Sequence, residues 1–530
     1  MIRTRFAPSP TGYLHIGGVR TALFCWLFAK HEGGKFILRI DDTDKQRNVE
    51  ESLEPILHGL RWLGIAWDEG PRVDGPYAPY YQSQRNAFYQ EAVDRLLASG
   101  HAYWDYARPE ELAAEREAFA AMKTVGAYTY SRAWMADTEE KRRAFEAEGR
   151  QGVVRLKMPR EGKLELDDLI RGHVEFDWKQ EQDHVIQRGD GSFIYHLANV
   201  VDDHAFGITH VIRAEEHLSN TPRQVFMVDA LGLPRPQYAH LPFVAEPGSH
   251  TKLSKRKLDK YMKNRDFAKI VEHGKSIANR LGREVKLETF NPVVTDFFEQ
   301  VGYLPAALVN YLALLGWSLD DRTEDFTLDE LVRVFTLDRV NKAPASFDPA
   351  KLLAFQERAM QKLPLDAKYQ GVLPFMIQGK MLPGIADATL LPSELEAKIK
   401  ALLVAAGDRI KVFGDILDYS DFFVADEELP YDSLAVEKRL RKEKAPELLR
   451  KYRTKLEALE TLTVANTEAA MQELIDEEQI KVGEIIHAVR VATTGKGVGI
   501  GVFETLEILG KDSVLRRITR ALENISRKEP

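Results

Sequence analysis

Two short stretches hold the residue types that bind phosphate. Near the N-terminus, His15-Ile16-Gly17-Gly18 follows a turn marked by Pro8, Pro10 and Gly12. Glycines let a phosphate approach the backbone. A helix starting there turns N–H groups and a positive dipole end toward it, and His15 adds a side-chain donor. Far downstream, Lys252-Leu253-Ser254-Lys255-Arg256 packs three cations into five positions. Each stretch alone has a plainer reading. A histidine beside glycines is a turn, and a charge run is a solvated loop.

The flanking elements say where these residues must sit. Residues 2–6 read as a short buried strand, broken by the prolines and Gly12. Residues 19–30 have apolar side chains at helical spacing and end at Gly33 and Gly34. Residues 35–40 read as a second strand, running into Asp41, Asp42 and Asp44. Asp41 therefore stands at the carboxyl end of a parallel strand, where open α/β sheets bind ligands. Helical segments follow at 50–63 and 82–98, stopped by Gly64 and Gly100. This alternation predicts an α/β fold with a doubly wound parallel sheet.

From residue 102 the texture changes. Charged helical stretches at 109–123 and 138–149 precede short alternating strands such as 152–158, and the sheet is expected to resume at 192–195 and to include 210–213. Residues 259–290 form a charged helical excursion, readable as a contact to a nucleic-acid partner or, more simply, as a tolerated surface insertion. Residues 365–530 are nearly all helical in pattern, at 393–406, 435–459, 467–475, 484–491 and 514–525. The glycine-rich run 495–501 lacks the Gly-x-x-x-x-Gly-Lys-[Ser/Thr] spacing of a phosphate loop and reads as an inter-helix turn.

At 530 residues, 44% hydrophobic and 29% charged, the chain describes an ordinary soluble protein of several domains. No run approaches the ~18 apolar residues of a membrane helix, and no secretory signal precedes the first strand, so a cytoplasmic protein is expected. The one cysteine, Cys25, falls in an apolar helix and reads as a small core residue. A net charge of −8 does not exclude a nucleic-acid partner, because phosphate binding needs local clusters. Clusters lie at 255–263, 439–455 and 511–520, each also readable as a solvated helix face.

The pairing of His-Ile-Gly-Gly after an N-terminal strand with Lys-Leu-Ser-Lys-Arg after a later one resembles the class I aminoacyl-tRNA synthetases. Within that class, five ordered blocks resemble the bacterial glutamyl-tRNA synthetases. They are Thr4-Arg5-Phe6-Ala7-Pro8-Ser9-Pro10-Thr11-Gly12, Arg39-Ile40-Asp41-Asp42-Thr43-Asp44, Asp68-Glu69-Gly70-Pro71, the stretch 195–204 beginning Tyr195-His196, and Ile212-Arg213-Ala214-Glu215-Glu216. The resemblance implies a Rossmann-like catalytic sheet in two halves, 1–101 and 190–256. An inserted α+β domain for the tRNA acceptor end would occupy 102–189. A stem-contact helical domain would follow at 257–364, carrying the extra 259–290, and an all-helical anticodon-binding region at 365–530.

The same resemblance implies glutamate–tRNA ligation. The α-carboxylate of L-glutamate attacks the α-phosphate of ATP, which arrives with Mg²⁺, and pyrophosphate leaves. A terminal ribose hydroxyl of tRNA then takes the glutamyl group. His15, Gly17, Gly18, Lys252 and Lys255 would serve the phosphates, with His15 and Lys255 catalytic, and Glu216 and His217 would lie near ribose and adenine. Arg5, Tyr195 and Arg213 would meet the side-chain carboxylate of glutamate, Ser9 and Asp41 its α-amino group, with Asn199 beside them. His217 is also readable as a structural histidine and Tyr195 as a core aromatic. Arg5 is not so easily read away, since an arginine in an apolar strand is costly unless paired.

Relatives with a structural zinc hold it mainly through cysteines; with one cysteine in this chain, no zinc is expected. The expected partners are tRNA(Glu), with tRNA(Gln) left open, and the chain is expected to act as a monomer. Two alternatives stand beside this reading. Asp41, where most glutamyl enzymes carry glutamate, and Tyr13-Leu14-His15-Ile16-Gly17 resemble glutaminyl-tRNA synthetases; Ser9 and the helical 365–530 speak against them, since those enzymes carry β-barrels there. A non-catalytic RNA-binding paralogue is disfavoured by the intact His15, Lys252 and Lys255.

Overall fold

The computed structural model describes the whole chain except residues 11, 44–48, 123–127, 255–256, 383, 386–390 and 527–530. Asp44, Lys255 and Arg256 thus lie outside the described residues. The chain forms two compact units. The first comprises Met1–Ala268, Leu287–Phe297 and Pro305–Leu352; the second comprises Lys269–Lys286, Phe298–Leu304 and Leu353–Pro530.

In the first unit, β1 (Arg3–Phe6) is followed by α1 (Ile16–His31) and β2 (Lys35–Leu38). The two strands pair in parallel, Arg3 opposite Lys35 through Phe6 opposite Leu38. Ile16, Val19, Leu23, Phe24 and Leu27 of α1 are buried, as expected of a helix apolar on most of its faces. Cys25 is buried among them, its thiol pushed up to about 12 by burial. Gly34 closes the helix-to-strand turn where no other residue fits, since a Cβ there would meet Ile2 O at 2.2 Å.

After α2 (Val49–Trp62), a 3₁₀ turn at Gln82–Gln84 separates from α3 (Asn86–Ala98) a segment that reads in sequence as one helix. There follow β3 (Ala102–Asp105), α4 (Pro109–Ala121), β4 (Met135–Ala136), α5 (Glu139–Ala147), β5 (Val153–Leu156), β6 (Lys163–Asp168), β7 (Gly172–Asp177) and β8 (Val185–Gln187). Strands β4, β3, β5 and β8 make a separate antiparallel sheet, in that order. The hairpin β6–β7 instead extends the central parallel sheet, Asp168 of β6 pairing with Tyr238.

Next come α6 (Tyr195–Ala205), β9 (His210–Ala214), α7 (Thr221–Ala230) and β10 (Gln237–Leu241). β9 and β10 are parallel along their whole length. β9 approaches β1 through Thr209 N–H, which donates to Arg3 O at 3.0 Å. The strand expected at 192–195 is not formed. Phe193 makes one bridge to Gln187, and Tyr195 begins α6, because Leu197, Ala198 and Val200 supply a helical buried face.

The remaining elements are β11 (Val244–Ala245), α8 (Leu258–Tyr261), α9 (Arg265–Arg280), α10 (Thr295–Val301), α11 (Pro305–Ala313), α12 (Leu328–Val334) and β12 (Ala345–Ser346), which pairs with β11 in parallel. Helix α9 corrects the surface reading of residues 259–290. Ile270, Val271, Ile277 and Ala278 are buried at helical spacing. Within the second unit His273 Nε2 lies 2.6 Å from Asp415 Oδ1, and Arg280 pairs with Asp418.

The second unit continues with α13 (Pro349–Lys362), α14 (Leu365–Gln378), α15 (Ser393–Ala406), α16 (Ser433–Ala435), α17 (Ala445–Glu457), α18 (Val464–Glu478), α19 (Ile486–Thr494), α20 (Val502–Leu509) and α21 (Lys511–Ser526). Residues 435–459 are not one helix. A π-turn at Val436–Leu440 ends the first piece, and α17 restarts with a proline in its first turn, where the missing N–H is harmless. Residues 495–501 join α19 to α20. No strand lies beyond residue 346 among the described residues. Among them, too, no helix is long and apolar enough to cross a membrane, and no cluster of side chains suits a metal ion.

Candidate active site

A cavity of about 940 Å³ opens in the first unit where β1, β2 and β9 end. The end of β1 contributes Arg5, the start of α1 contributes His15, Gly17 and Gly18, and the residue run beyond β2 contributes Asp41. Helix α6 adds Tyr195 and Asn199, and the end of β9 adds Arg213. Glu216 and His217 come from the 3₁₀ turn that follows β9, and Lys252 from the loop after β11. Eleven of the residues singled out in the sequence therefore face one space. Ser9 is exposed and does not line it, and Lys255 lies outside the described residues.

At one end, His15 is the N-cap of α1. Its Nδ1 accepts the Gly17 N–H at 3.0 Å, which leaves the ring proton on Nε2. This amends the expectation that Gly17 and Gly18 would both offer backbone donors: Gly17 N–H is held by the cap, and Ile16 N–H donates to Val293 O. Lys252 pairs with Glu216, both half exposed, so the contact is weak and easily exchanged for another anion. The loop beneath is anchored by Leu253 N–H to Val244 O at 2.8 Å and by Lys257 and Lys260 on the buried Glu246 carboxylate. Burial holds the His217 imidazole down at about 4, so it is neutral at pH 7.

The floor is a buried charge network. Arg5 grips Asp203 with two nitrogens, at 3.0 and 3.2 Å. Arg39 bridges Asp203 at 2.7 Å and Asp41 at 2.7 and 3.2 Å. Burial opposes the charge on Asp203, but the two guanidiniums outweigh it and its carboxyl stays below the usual range. At Asp41 burial wins over Arg39, and the carboxyl rises to about 6. Arg5, expected to meet the side-chain carboxylate of glutamate, thus already has a carboxylate of its own, as buried charge requires.

Arg213 differs. It is 5% exposed, and its three nitrogens donate to His240 Nε2 at 3.1 Å, Gln224 Oε1 at 2.6 Å and Thr221 Oγ1 at 2.9 Å. All are neutral acceptors, and among the described residues Arg213 forms no ion pair; Asp203, already held by Arg5 and Arg39, attracts it only from farther off. Gln224 in turn donates to Asn199 Oδ1 at 3.4 Å, linking α6 to the same group.

Residues 1–284 and 283–354 match the family described as tRNA synthetases class I (E and Q), catalytic domain, and residues 369–522 match the anticodon binding domain. A glutamate–tRNA ligase of Desulforudis audaxviator is 40% identical over 523 residues, 98% of this chain and 96% of that protein. A second such ligase, of Thermoanaerobacter pseudethanolicus, is 40% identical over 99% of both chains. The chain belongs to the class I glutamate–tRNA ligases. A crystal structure of a glutamate tRNA ligase from Elizabethkingia meningosepticum, in complex with its amino acid, superposes with a TM-score of 0.82 at 33% identity over 99% of both chains.

In this glutamate–tRNA ligase the sequence reading missed Arg39, Asp203 and Arg20. Arg20 of α1 borders the cavity yet is buried, donating to Leu315 O at 2.5 Å and Pro242 O at 2.7 Å, with its last nitrogen unpartnered among the described residues. Burial without a close counter-charge lowers it to about 10. An arginine in an otherwise apolar helical stretch was the available signal. For Arg39 and Asp203 the only signal was their place inside the blocks that carry the family resemblance.

Proposed function

We propose that this ligase activates L-glutamate with ATP, carried as its Mg²⁺ complex, and transfers it to the 3′ end of tRNA(Glu). The observation that carries the reading is Arg213: a buried cation whose hydrogen-bond partners among the described residues are all neutral, lining the same cavity as the capped start of α1. In this reading the side-chain carboxylate of glutamate neutralises Arg213, and Asp41 accepts from the α-ammonium group. The α-carboxylate then points at the α-phosphate. The His15 Nε2–H donates to a phosphate oxygen, while Lys252 and Lys255 meet the charge that grows on the departing pyrophosphate. Attack forms the C–O–P bond of the acyl-adenylate and breaks the bond to pyrophosphate. A terminal ribose hydroxyl of tRNA then displaces AMP.

For tRNA, support comes from the second unit. A cavity of about 740 Å³ is lined by Arg409, Arg490 and Lys496, cations of the kind that meet phosphates, with Asp418 and Asp421 among them. It lies within the stretch matching an anticodon binding domain. The glutaminyl alternative loses its ground, since among the described residues the second unit has no β-barrel strands.

Pyrophosphate exchange into ATP, with tRNA present, tests the reading. Exchange with glutamate and little with glutamine is expected; the reverse would overturn the assignment. Lys255→Ala should slow exchange by about 10²–10³ with little change in glutamate KM. Side-by-side aminoacylation of purified tRNA(Glu) and tRNA(Gln) defines the tRNA range.

A further inference from the structure

Behind Arg213 the fold holds a pair that does not border the cavity. Asp168 ends β6 and His240 lies in β10, and both side chains are fully buried. His240 Nδ1 is 2.6 Å from Asp168 Oδ2. The carboxylate also accepts the backbone N–H groups of Ile170 at 3.0 Å, Arg171 at 2.8 Å and His240 at 3.2 Å. Burial opposes its charge, but these donors outweigh it and hold the carboxyl below its ordinary range. An ionised acceptor fixes the histidine proton on Nδ1. Burial keeps the imidazole neutral, so Nε2 carries a lone pair. That lone pair receives the Arg213 Nε–H at 3.1 Å.

We infer that Asp168 and His240 are positioning residues for amino-acid selection, aiming the Arg213 guanidinium while leaving it without a counter-charge. The inference rests on the reading that Arg213 meets the side-chain carboxylate of the substrate. Arg5 and Arg39 show the alternative, for each is held by carboxylates and neutralised by them. A carboxylate at position 240 would orient Arg213 equally well. It would also satisfy the charge, and glutamine would then be as welcome as glutamate. A neutral imidazole orients without neutralising. Asp168 makes that imidazole an acceptor on the right side and reaches Arg213 only through the ring. Three of the five guanidinium N–H donors are committed to His240, Gln224 and Thr221, which leaves two for an incoming carboxylate.

A purely structural role competes with this, because Asp168 is also the one residue through which β6 pairs with β10. Asp168→Asn separates the two. The asparagine carbonyl keeps the three backbone donors, so its amide N–H points at His240 Nδ1. The ring then takes the other tautomer, and its Nε2–H faces the Arg213 Nε–H and competes with Arg213 for Thr221 Oγ1, 3.1 Å from Nε2. Glutamate KM should rise about 10- to 100-fold, the cost of one opposed buried donor. The ATP KM should move by less than about threefold, and discrimination against glutamine should fall. His240→Gln offers an acceptor near the former Nε2 whatever stands at 168. In that background Asp168→Asn should add no further rise.

An equal rise in both backgrounds, or none in either, would overturn the inference. So would nitrogen NMR of the unaltered ligase showing His240 protonated on Nε2, a measurement that needs no variant to fold. Arg213→Gln controls the underlying reading. If it spares glutamate use, that reading fails; if it abolishes glutamate use while Asp168→Asn leaves KM untouched, only the present inference fails.

Discussion

In the proposed reading, Arg213 and Asp41 divide the recognition of one small molecule between a cation without an ion pair among the described residues and a carboxylate whose charge is conditional. Glutamate and glutamine have nearly the same shape, so selection must rest on charge. Bound glutamine would leave the Arg213 guanidinium buried and unpaired, at a cost of about 2–5 kcal/mol, or roughly 30- to 5,000-fold. Arg213→Ala should therefore abolish glutamate-dependent exchange without creating a good glutamine enzyme, read from kcat/KM for both amino acids. Asp41 gives a pH signature. Its carboxyl sits near 6, raised by burial against the pull of Arg39 and with Asp202 and Asp203 adding to the rise. Above that pH it is ionised and can accept from the ammonium; below it, the proton removes the charge. Glutamate kcat/KM should fall as pH drops through about 6, approaching tenfold per unit, and Asp41→Asn should be weak and flat over that range. A wild-type profile flat from pH 5 to 7 would refute the role. Most of this site was legible because motif residues carry their own chemistry: His15, Asp41, Arg213 and Lys252 all face the cavity. The neutral setting of Arg213 was not, since His240, Thr221 and Gln224 look like ordinary residues until the fold places them around it.

Among the elements, α1 is the one proposed to serve the phosphates, and its first turn is tightly fitted. A methyl group on Gly17 would stand 3.2 Å from His15 Nδ1, close enough to push the ring aside. Gly17→Ala should reduce pyrophosphate exchange by up to about 10²-fold, as small misplacements do, while leaving the melting temperature nearly unchanged. A parallel loss of stability would mean that the cap serves the helix alone. Helix α9 offers the opposite test. Ile277 is 3% exposed, and Ile277→Ala should cost about 2–5 kcal/mol in thermal unfolding. A true surface insertion would lose less than about 0.5 kcal/mol. Sequence pattern found α1, β1 and β2 because their periodicity is clean. It undervalued α9, whose charged residues surround a narrow apolar stripe. It read a strand into 192–195 because four residues are too few to distinguish the end of a hairpin from the lead-in to a helix.

At the scale of the whole molecule, the chain passes between its two units five times, after residues 268, 286, 297, 304 and 352. A clean cut at 365 would not remove one unit and spare the other. The second unit packs Gly414 against the Val301 carbonyl and Ile277, and Phe413 N–H donates to Gly302 O at 2.9 Å. Deleting 365–530 strips those partners and bares apolar surface on segments the core still carries. The truncated chain should bind a hydrophobic dye and melt well below the full one; an unchanged melting temperature would show that those segments need no cover. Cys25 turns this interdependence into something that can be watched. It is the one thiol in the chain, fully buried on the helix that carries the His15 cap, and its proton is held too tightly for attack on a disulfide reagent. Modification must therefore wait for α1 to open. Its rate in aqueous buffer becomes a clock on that opening, and any ligand that binds only the closed form slows the clock by the factor 1 + [L]/Kd. Glutamate, ATP and tRNA could each be titrated against a single sulfur atom, without turnover and without an attached label.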